Sequence, residues 1–485
     1  MVIVEKVPKS ERRKSLIMNH LTRITMKKVS LLIALAALVT FAGCKKDKET
    51  TGTTLKASIE QNQGEGKTSL NPTDGAISWT AGDQILVSNG GTPVQFALSG
   101  GEGTTNGTFT YAGEFEINEN TKAVYPKADF VSFDGSNVSI TLPDEQTLTT
   151  LGTFANGANP MMGVYNGEGL SFTSLCGVLG VSLTGNNVAI TGIEIVSNTT
   201  TDKLNGTYSC TTANPELAKT GEDGTNSIML NCDATLTADA QEFYFVLPVG
   251  TLSGGFTMNI YGDGSELIFR KTTTKTNLAV ELNKAKVMST VNVGPEYVDL
   301  GLPNGTLWAT SNVGTLLPEA YGDYFAWGET TTKTTYNWST YQYCNGSSST
   351  LTKYCSTDNL TTLQPEDDAA TVNWGSDWRM PTKAEWQELY QNTTHIWTTQ
   401  NGVNGRLFTA SNGNSLFLPA AACIMGDWNG DAGVFGDYWS SSLYTDYPVE
   451  AWYFYFGSGN GSGDYGMSHF NRSYGNTVRP VRENN

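Results

Sequence analysis

Between Thr54 and Asn292 the chain has very few runs with helical periodicity of helix length, and short alternating segments recur between Gly, Asn and Asp turns. Gln84–Ser88, Val94–Leu98, Gly107–Tyr111, Val138–Leu142, Gly180–Leu183, Ile193–Val196, Phe243–Leu247 and Phe256–Ile260 follow this pattern. A period of two places successive side chains on opposite faces, so each segment reads as a strand with one face free to build a core. Strands at this spacing with these turn residues predict antiparallel sandwich architecture. A second, similar unit begins near Gly169–Phe172, and Leu151–Pro160 reads as a linker between the two. The expected lobes are 55–160 and 161–293.

The tryptophans then divide the chain again. Of the 11, all but Trp79 lie between Trp308 and Trp452. That break in composition marks a third domain, 296–485, opened by Glu296–Pro303. Thr382-Lys-Ala-Glu385 has the form of a capping box, with a helix following through Trp386, Leu389 and Tyr390. Strands are expected at Tyr324–Trp327, Ser415–Leu418, Tyr438–Ser441, Trp452–Phe456 and Thr477–Val481, with long Gly/Asn/Ser loops between. Large indoles suit a loop-rich domain with few aliphatic residues, so Trp308, Trp327, Trp378, Trp386 and Trp439 are read as core.

The first residues read as an export signal. Met26-Lys27-Lys28 gives a positive start, Val29–Val39 an apolar run, and Phe41-Ala42-Gly43-Cys44 a small-residue cleavage site, too short overall for a membrane span. Residues 1–25 read as an overcalled start or an extended leader, since Met18 and Met26 are both plausible initiators. Segment 44–54 is a polar, flexible tether. A net charge of −17 argues against nucleic acid and for solubility at a surface. Beyond Cys44, the compartment permits disulfides. Cys344 with Cys355, or Cys210 with Cys232, are candidate bridges, and free buried thiols are an equal alternative.

Four resemblances follow from these residues. The Ala-Gly-Cys44 site resembles a bacterial lipobox, which implies a lipidated Cys44 and an outer-membrane anchor. The charged run after it resembles a surface-export signal, with a periplasmic position the alternative. Lys67-Thr68, Ile77–Ile85, Ala123–Pro126, Leu142-Pro143, Phe172–Leu179 and Phe245–Gly250 resemble the fimbrillin family of lipoprotein pilins. That resemblance implies two β-sandwich lobes and a place in a pilus or surface adhesin, with fimbrillin-type subunits joined by β-strand addition after a first strand is removed. The family's cut after Arg has no counterpart here, because no Arg occurs between Cys44 and Arg270; Lys56 and Lys67 are the basic residues nearby. Trp308-Ala, Tyr324–Gly328, Trp378–Thr382, Glu385-Trp386, Leu418–Ala421, Tyr438–Ser442 and Val478–Val481 resemble the Fibrobacter succinogenes major paralogous domain, which is similar to C-type-lectin-like and sulfatase-modifying-factor folds. The expected fold is mainly β, two antiparallel sandwich lobes followed by an α+β C-type-lectin-like domain.

The binding candidates are aromatics beside turn residues: Trp428 within Asp427–Asp431, Tyr444 and Tyr447, and Tyr465. Aromatic faces stack on the C–H faces of sugars, and adjacent Asp and Asn accept from hydroxyls. The expected ligand is a glycan or a host or bacterial surface protein. Asp427, Asn429 and Asp431 also alternate as calcium ligands do, although the later Glu is missing and the Gly is out of place, so a plain turn is favoured. No catalytic residue or metal site is expected. His395, just after the helix, reads as a cap or surface group, and His469 has no nucleophile motif.

Overall fold

The computed structural model describes residues 52–60, 77–128, 131–273, 275–459 and 464–483. The leader, Cys44 and Lys67 lie outside the described residues. The chain is mainly β, as its alternating segments require.

Seven strands close into a barrel: Thr53–Ile59, Leu170–Ser174, Met161–Tyr165, Lys122–Tyr125, Gln84–Ser88, Val94–Gly100 and Asn106–Tyr111, in that order around the wall. In the first strand Leu55, Ala57 and Ile59 all point inward, a period of two that fills the interior with Phe96, Phe109 and Phe172 around Trp79. Trp79 meets Phe109, Tyr125 and Phe172 edge to face at centroid distances of 4.9, 5.6 and 5.3 Å. Gly107 makes room for that indole, since a Cβ there would lie 2.7 Å from its ring. The first strand is paired on both sides, antiparallel to Asn106–Tyr111 and parallel to Leu170–Ser174.

The two lobes are not consecutive segments. Residues 161–174, expected in the second lobe, complete the barrel. Val131–Phe133, Asn137–Leu142 and Glu145–Thr147, expected in the first, pair into the sheets beyond it. Packing explains the exchange: Val138, Ile140 and Leu142 share a core with Val178, Tyr208 and Val246, and that core reaches the barrel through Val124 and Met162. The second lobe faces a five-stranded sheet, edged by Leu267–Thr272, against Gly177–Gly185 and its partners. Its core is almost wholly aliphatic and phenyl, including Leu183, Ile193, Ile195, Leu230, Phe243, Phe245 and Ile260.

All six described cysteines are free, so neither candidate bridge forms. Cys210 and Cys232 lie in strands of different sheets. The Cys344 thiol instead donates to the Trp338 carbonyl at 3.1 Å.

The path into the C-terminal domain is itself part of the second lobe. Ala285–Val287 and Val291–Val293 both run parallel to Gly177–Gly185. Beyond them Leu316 packs against the second lobe's core. The buried Glu319 carboxylate accepts from Arg270 at 2.6 Å and from the Asn401 amide at 3.0 Å.

In the C-terminal domain, helix α1 (Ala369–Trp374) is capped by Asp368, whose carboxylate accepts from the Ala370 and Thr371 amides. Helix α2 (Lys383–Gln391) begins with the expected reciprocal capping box of Thr382 and Glu385. Glu385 also takes the Arg379 guanidinium fork at 2.8 and 2.7 Å. The five tryptophans read as core are all buried. They also pin strands together: Trp327 donates to the Ser440 carbonyl, Trp439 to Phe325 and Trp386 to Trp439, at 2.8, 2.8 and 3.2 Å. The strand expected at Thr477–Val481 is interrupted, with Gly475–Thr477 and Val481–Arg482 on either side. Between them Arg479 is fully buried, donating to Asn312 and to the Ala309 carbonyl. Similarly, the first expected strand of the domain is only Tyr324–Phe325.

Candidate functional site

The loop that carries Trp428 is tied at its base. Tyr336 and Gly426 exchange backbone hydrogen bonds of 2.6 and 2.9 Å, the Ala422 amide donates to the Phe435 carbonyl at 2.8 Å, and Gly433 donates to Ala420 at 2.7 Å. Within it the Asn429 amide donates to the Tyr324 hydroxyl at 2.9 Å, and that hydroxyl donates to the Ala421 carbonyl at 2.6 Å. The Trp428 indole lies across Gly430, where any Cβ would collide with the ring at 2.1 Å. Fixed in this way, Trp428 remains 50% exposed, Val434 46% and Phe435 45%. The tied loop thus presents three large apolar side chains to solvent.

Beneath this surface lies a polar floor. Asp431 and Asp437 are both half-buried, and the Asn476 amide, fully buried opposite Cys423 and Phe325, has neither atom hydrogen-bonded. Burial, then the Asp431 charge, push the Asp437 carboxyl up to about 7. Burial, then Asp437 and Asp431, push the Cys423 thiol up to about 12, which leaves it protonated and a poor nucleophile. Asp427 is exposed, the Asn429 amide is turned onto Tyr324, and no group of three His, Cys, Asp or Glu side chains among the described residues could hold a metal ion.

The Asp437 environment has a pH signature. Its folded pKa is raised above the ordinary 3.8, so the folded state holds the proton more tightly than the unfolded chain. The resulting stabilisation is complete below pH 3.8 and is lost as pH rises through about 7. Asp437→Asn is therefore expected to raise the melting temperature at pH 8, by roughly 5 °C, and to leave it unchanged at pH 3. Thermal melts across this range check the effect; equal melting temperatures at pH 8 would mean that Asp437 is well solvated.

A second aromatic surface surrounds Tyr444. Its ring stacks on the His469 imidazole at 4.0 Å and 10°, and meets Trp452 edge-on at 5.1 Å. His469 is bonded to the Glu450 carboxylate, and the Lys383 ammonium sits 3.2 Å above the Trp452 ring. Tyr447, 58% exposed, stands at the tip of the turn, which is held by a 2.9 Å bond from the Glu450 amide to its carbonyl.

Tyr465 does not belong to this second surface. It starts the strand Tyr465–Asn471, whose register places it opposite Phe456, while His469, the Tyr444 partner, is opposite Trp452. Four residues of strand separate the two positions by about 13 Å. There Tyr465 braces Tyr390, His395 and the buried Arg406 guanidinium. His395 is neither a cap nor a lone surface group: it lies in the strand Thr393–Gln400, with its Nδ1 2.9 Å from Arg406. Burial and the Arg406 charge hold its pKa below the usual histidine value.

Val434, Phe435, Asp437, Trp452 and His469 complete these surfaces and were not singled out from the sequence. An apolar pair between Gly433 and Gly436 was the one local signal for Val434 and Phe435. The others depend on strand register.

No family model matches the chain, and no curated protein matches it. Solved structures do align with it. A candidate cell adhesion protein from Bacteroides ovatus is 12% identical, over 50% of this chain and 93% of its own, with a TM-score of 0.34. A fimbrial protein from Bacteroides vulgatus is 10% identical, over 49% and 95%, with a TM-score of 0.27. A fimbrial protein from Bacteroides ovatus is 12% identical, over 90% and 99%, with a TM-score of 0.25.

Proposed function

We propose that this chain is a surface adhesin, anchored through a lipid on Cys44 in the outer membrane, whose C-terminal domain binds a glycan or a surface protein. The observation that carries the reading is the tied loop presenting Trp428, Val434 and Phe435, with the Tyr444, Tyr447 and Trp452 surface as a second contact. Half-exposed rings beside Asp427 and Asp431 combine apolar stacking faces with hydroxyl acceptors, which is the chemistry of sugar recognition.

The more specific form of the reading is a pilus tip subunit. Its support is the segment Ala285–Val293, which is paired within its own second lobe and continues into the C-terminal domain. That end of the stalk has no free strand to donate to a neighbour. The first strand, Thr53–Ile59, is the one whose removal would leave two strand edges flanking the Trp79 core, a site for β-strand addition by a fimbrillin-type subunit. Its complete pairing, together with the missing Arg, supports the alternative of a lipoprotein that does not polymerise. Mass spectrometry of the mature N-terminus separates them: loss of residues through Ile59 favours the pilin, and a retained lipid on Cys44 favours the anchored form.

The binding test uses the mature chain on arrays of glycans and surface proteins. Trp428→Ala is expected to weaken the selected ligand by about 30-fold, as a central aromatic anchor does, and Tyr447→Ala by less. Tyr465→Phe should bind as the parent does. Absence of any saturable ligand would sink the adhesin reading.

A further inference from the structure

The second lobe has an opening along one flank. It lies between the edge strand Leu267–Thr272 of one sheet and the edge segments Ala285–Val287 and Val291–Val293 of the other. The groove holds ≈ 380 Å³, within the range of small-ligand sites. Its floor is made by Val181, Phe256, Met258 and Met288, the first three of them members of the lobe's core. Its rim carries Lys271, Lys275 and Lys286, and no carboxylate lines it. Lys271 is bonded to Glu296, whereas the exposed Lys275 and Lys286 ammonium groups have no acidic partner among the described residues.

We propose that this groove binds an anionic amphiphile, its narrow apolar body on the Val181, Met258 and Met288 floor and its head group between Lys275 and Lys286.

Two features favour that occupant over an extended peptide. The floor strands have no free backbone edge: Gly177–Gly185 is paired with Gln241–Leu247 on one side and 285–293 on the other, and Phe256–Tyr261 lies between two strands of its own sheet. The Met288 amide already donates to the Gly180 carbonyl at 2.8 Å, and the Ser182 and Thr290 hydroxyls are bonded to one another at 2.9 Å. The floor therefore offers side chains and little main-chain pairing, and the free backbone edges lie on its flanks, along Leu267–Thr272 and 285–293. The second feature is charge. The chain as a whole is −17 and would repel anions, but screening confines that repulsion to about 8–10 Å at physiological salt. Close to the groove, two unpaired lysines set the local sign. The site lies in the stalk and does not depend on the adhesin reading.

The test uses the full mature chain with ¹³C-methyl methionine and sodium dodecanoate below its micelle-forming concentration. Saturable shifts of the Met258 and Met288 methyl signals are expected, with dodecyltrimethylammonium at least tenfold weaker. The double variant Lys275→Glu/Lys286→Glu, both changes on exposed residues, should weaken dodecanoate at least tenfold and reverse the preference. Methyl signals that do not saturate, or equal shifts from both head groups, would overturn the proposal. So would an acidic strand-forming peptide that binds where dodecanoate does not, because the groove would then be a protein-docking edge.

Discussion

Arg472→Met is expected to cost the C-terminal domain about 3–5 kcal/mol, enough to leave it largely unfolded if it is marginally stable. The guanidinium is fully buried, and its hydrogen bonds go mostly to main chain: the Lys353, Tyr354 and Pro448 carbonyls at 3.0, 3.0 and 2.9 Å, and the Tyr341 hydroxyl at 2.9 Å. It also faces the Trp327 ring at 4.9 Å. These partners belong to three loop segments with little regular structure, so one side chain substitutes for the ladder that a sheet would supply. Without it, buried carbonyls are left unpaired at about 1–3 kcal/mol each. Arg472→Lys should recover less than half of the loss, because a single ammonium cannot span the planar fork. Urea unfolding followed by tryptophan fluorescence measures this selectively, since Trp79 alone lies outside the domain. A loss below about 1 kcal/mol would show that the loops hold themselves. The Pro448 carbonyl lies in the Tyr444–Glu450 turn, so the variant should also loosen the second aromatic surface.

Trp386→Ala is expected to cost about 3–5 kcal/mol by a different route, the loss of packing at the centre of the domain. The indole is fully buried, stacks on Phe454 at 4.9 Å and 12°, and touches Trp308 and Tyr438. Trp386→Phe keeps much of that contact but removes the donor to the Trp439 carbonyl and part of the ring volume, so about 2 kcal/mol is expected. Chemical denaturation of both variants checks the ratio. A similar cost for the two would mean that the hydrogen bond, and not the ring volume, is what the core needs.

What could be read in advance was local. The alternating segments are strands because period-two burial needs nothing beyond the segment itself, and the Thr382–Glu385 cap is made by residues three positions apart. The buried tryptophans follow from their size. Closure of the barrel was not legible, because Ala57 meets Leu170 across more than a hundred residues and alternation carries no information about partners. The exchange of strands between lobes was hidden for the same reason. Arg472 and Arg479 look like surface residues in the sequence, and only the surrounding carbonyls show why a charge can be buried there. Among the site candidates, Trp428 is exposed, and Tyr444 is half-buried against His469 and Trp452. Tyr465 lies elsewhere, since its place was decided by the register opposite Phe456.

The pairing of the first strand has a consequence in time. Thr53–Ile59 comes early in the chain, yet its parallel partner Leu170–Ser174 follows much later, after Val131–Thr147 has passed across to the other lobe. Contacts of such long sequence separation form slowly. For that interval the strand has an unsatisfied edge. Closure of this barrel is thus a race between its own late strand and any foreign one that arrives sooner.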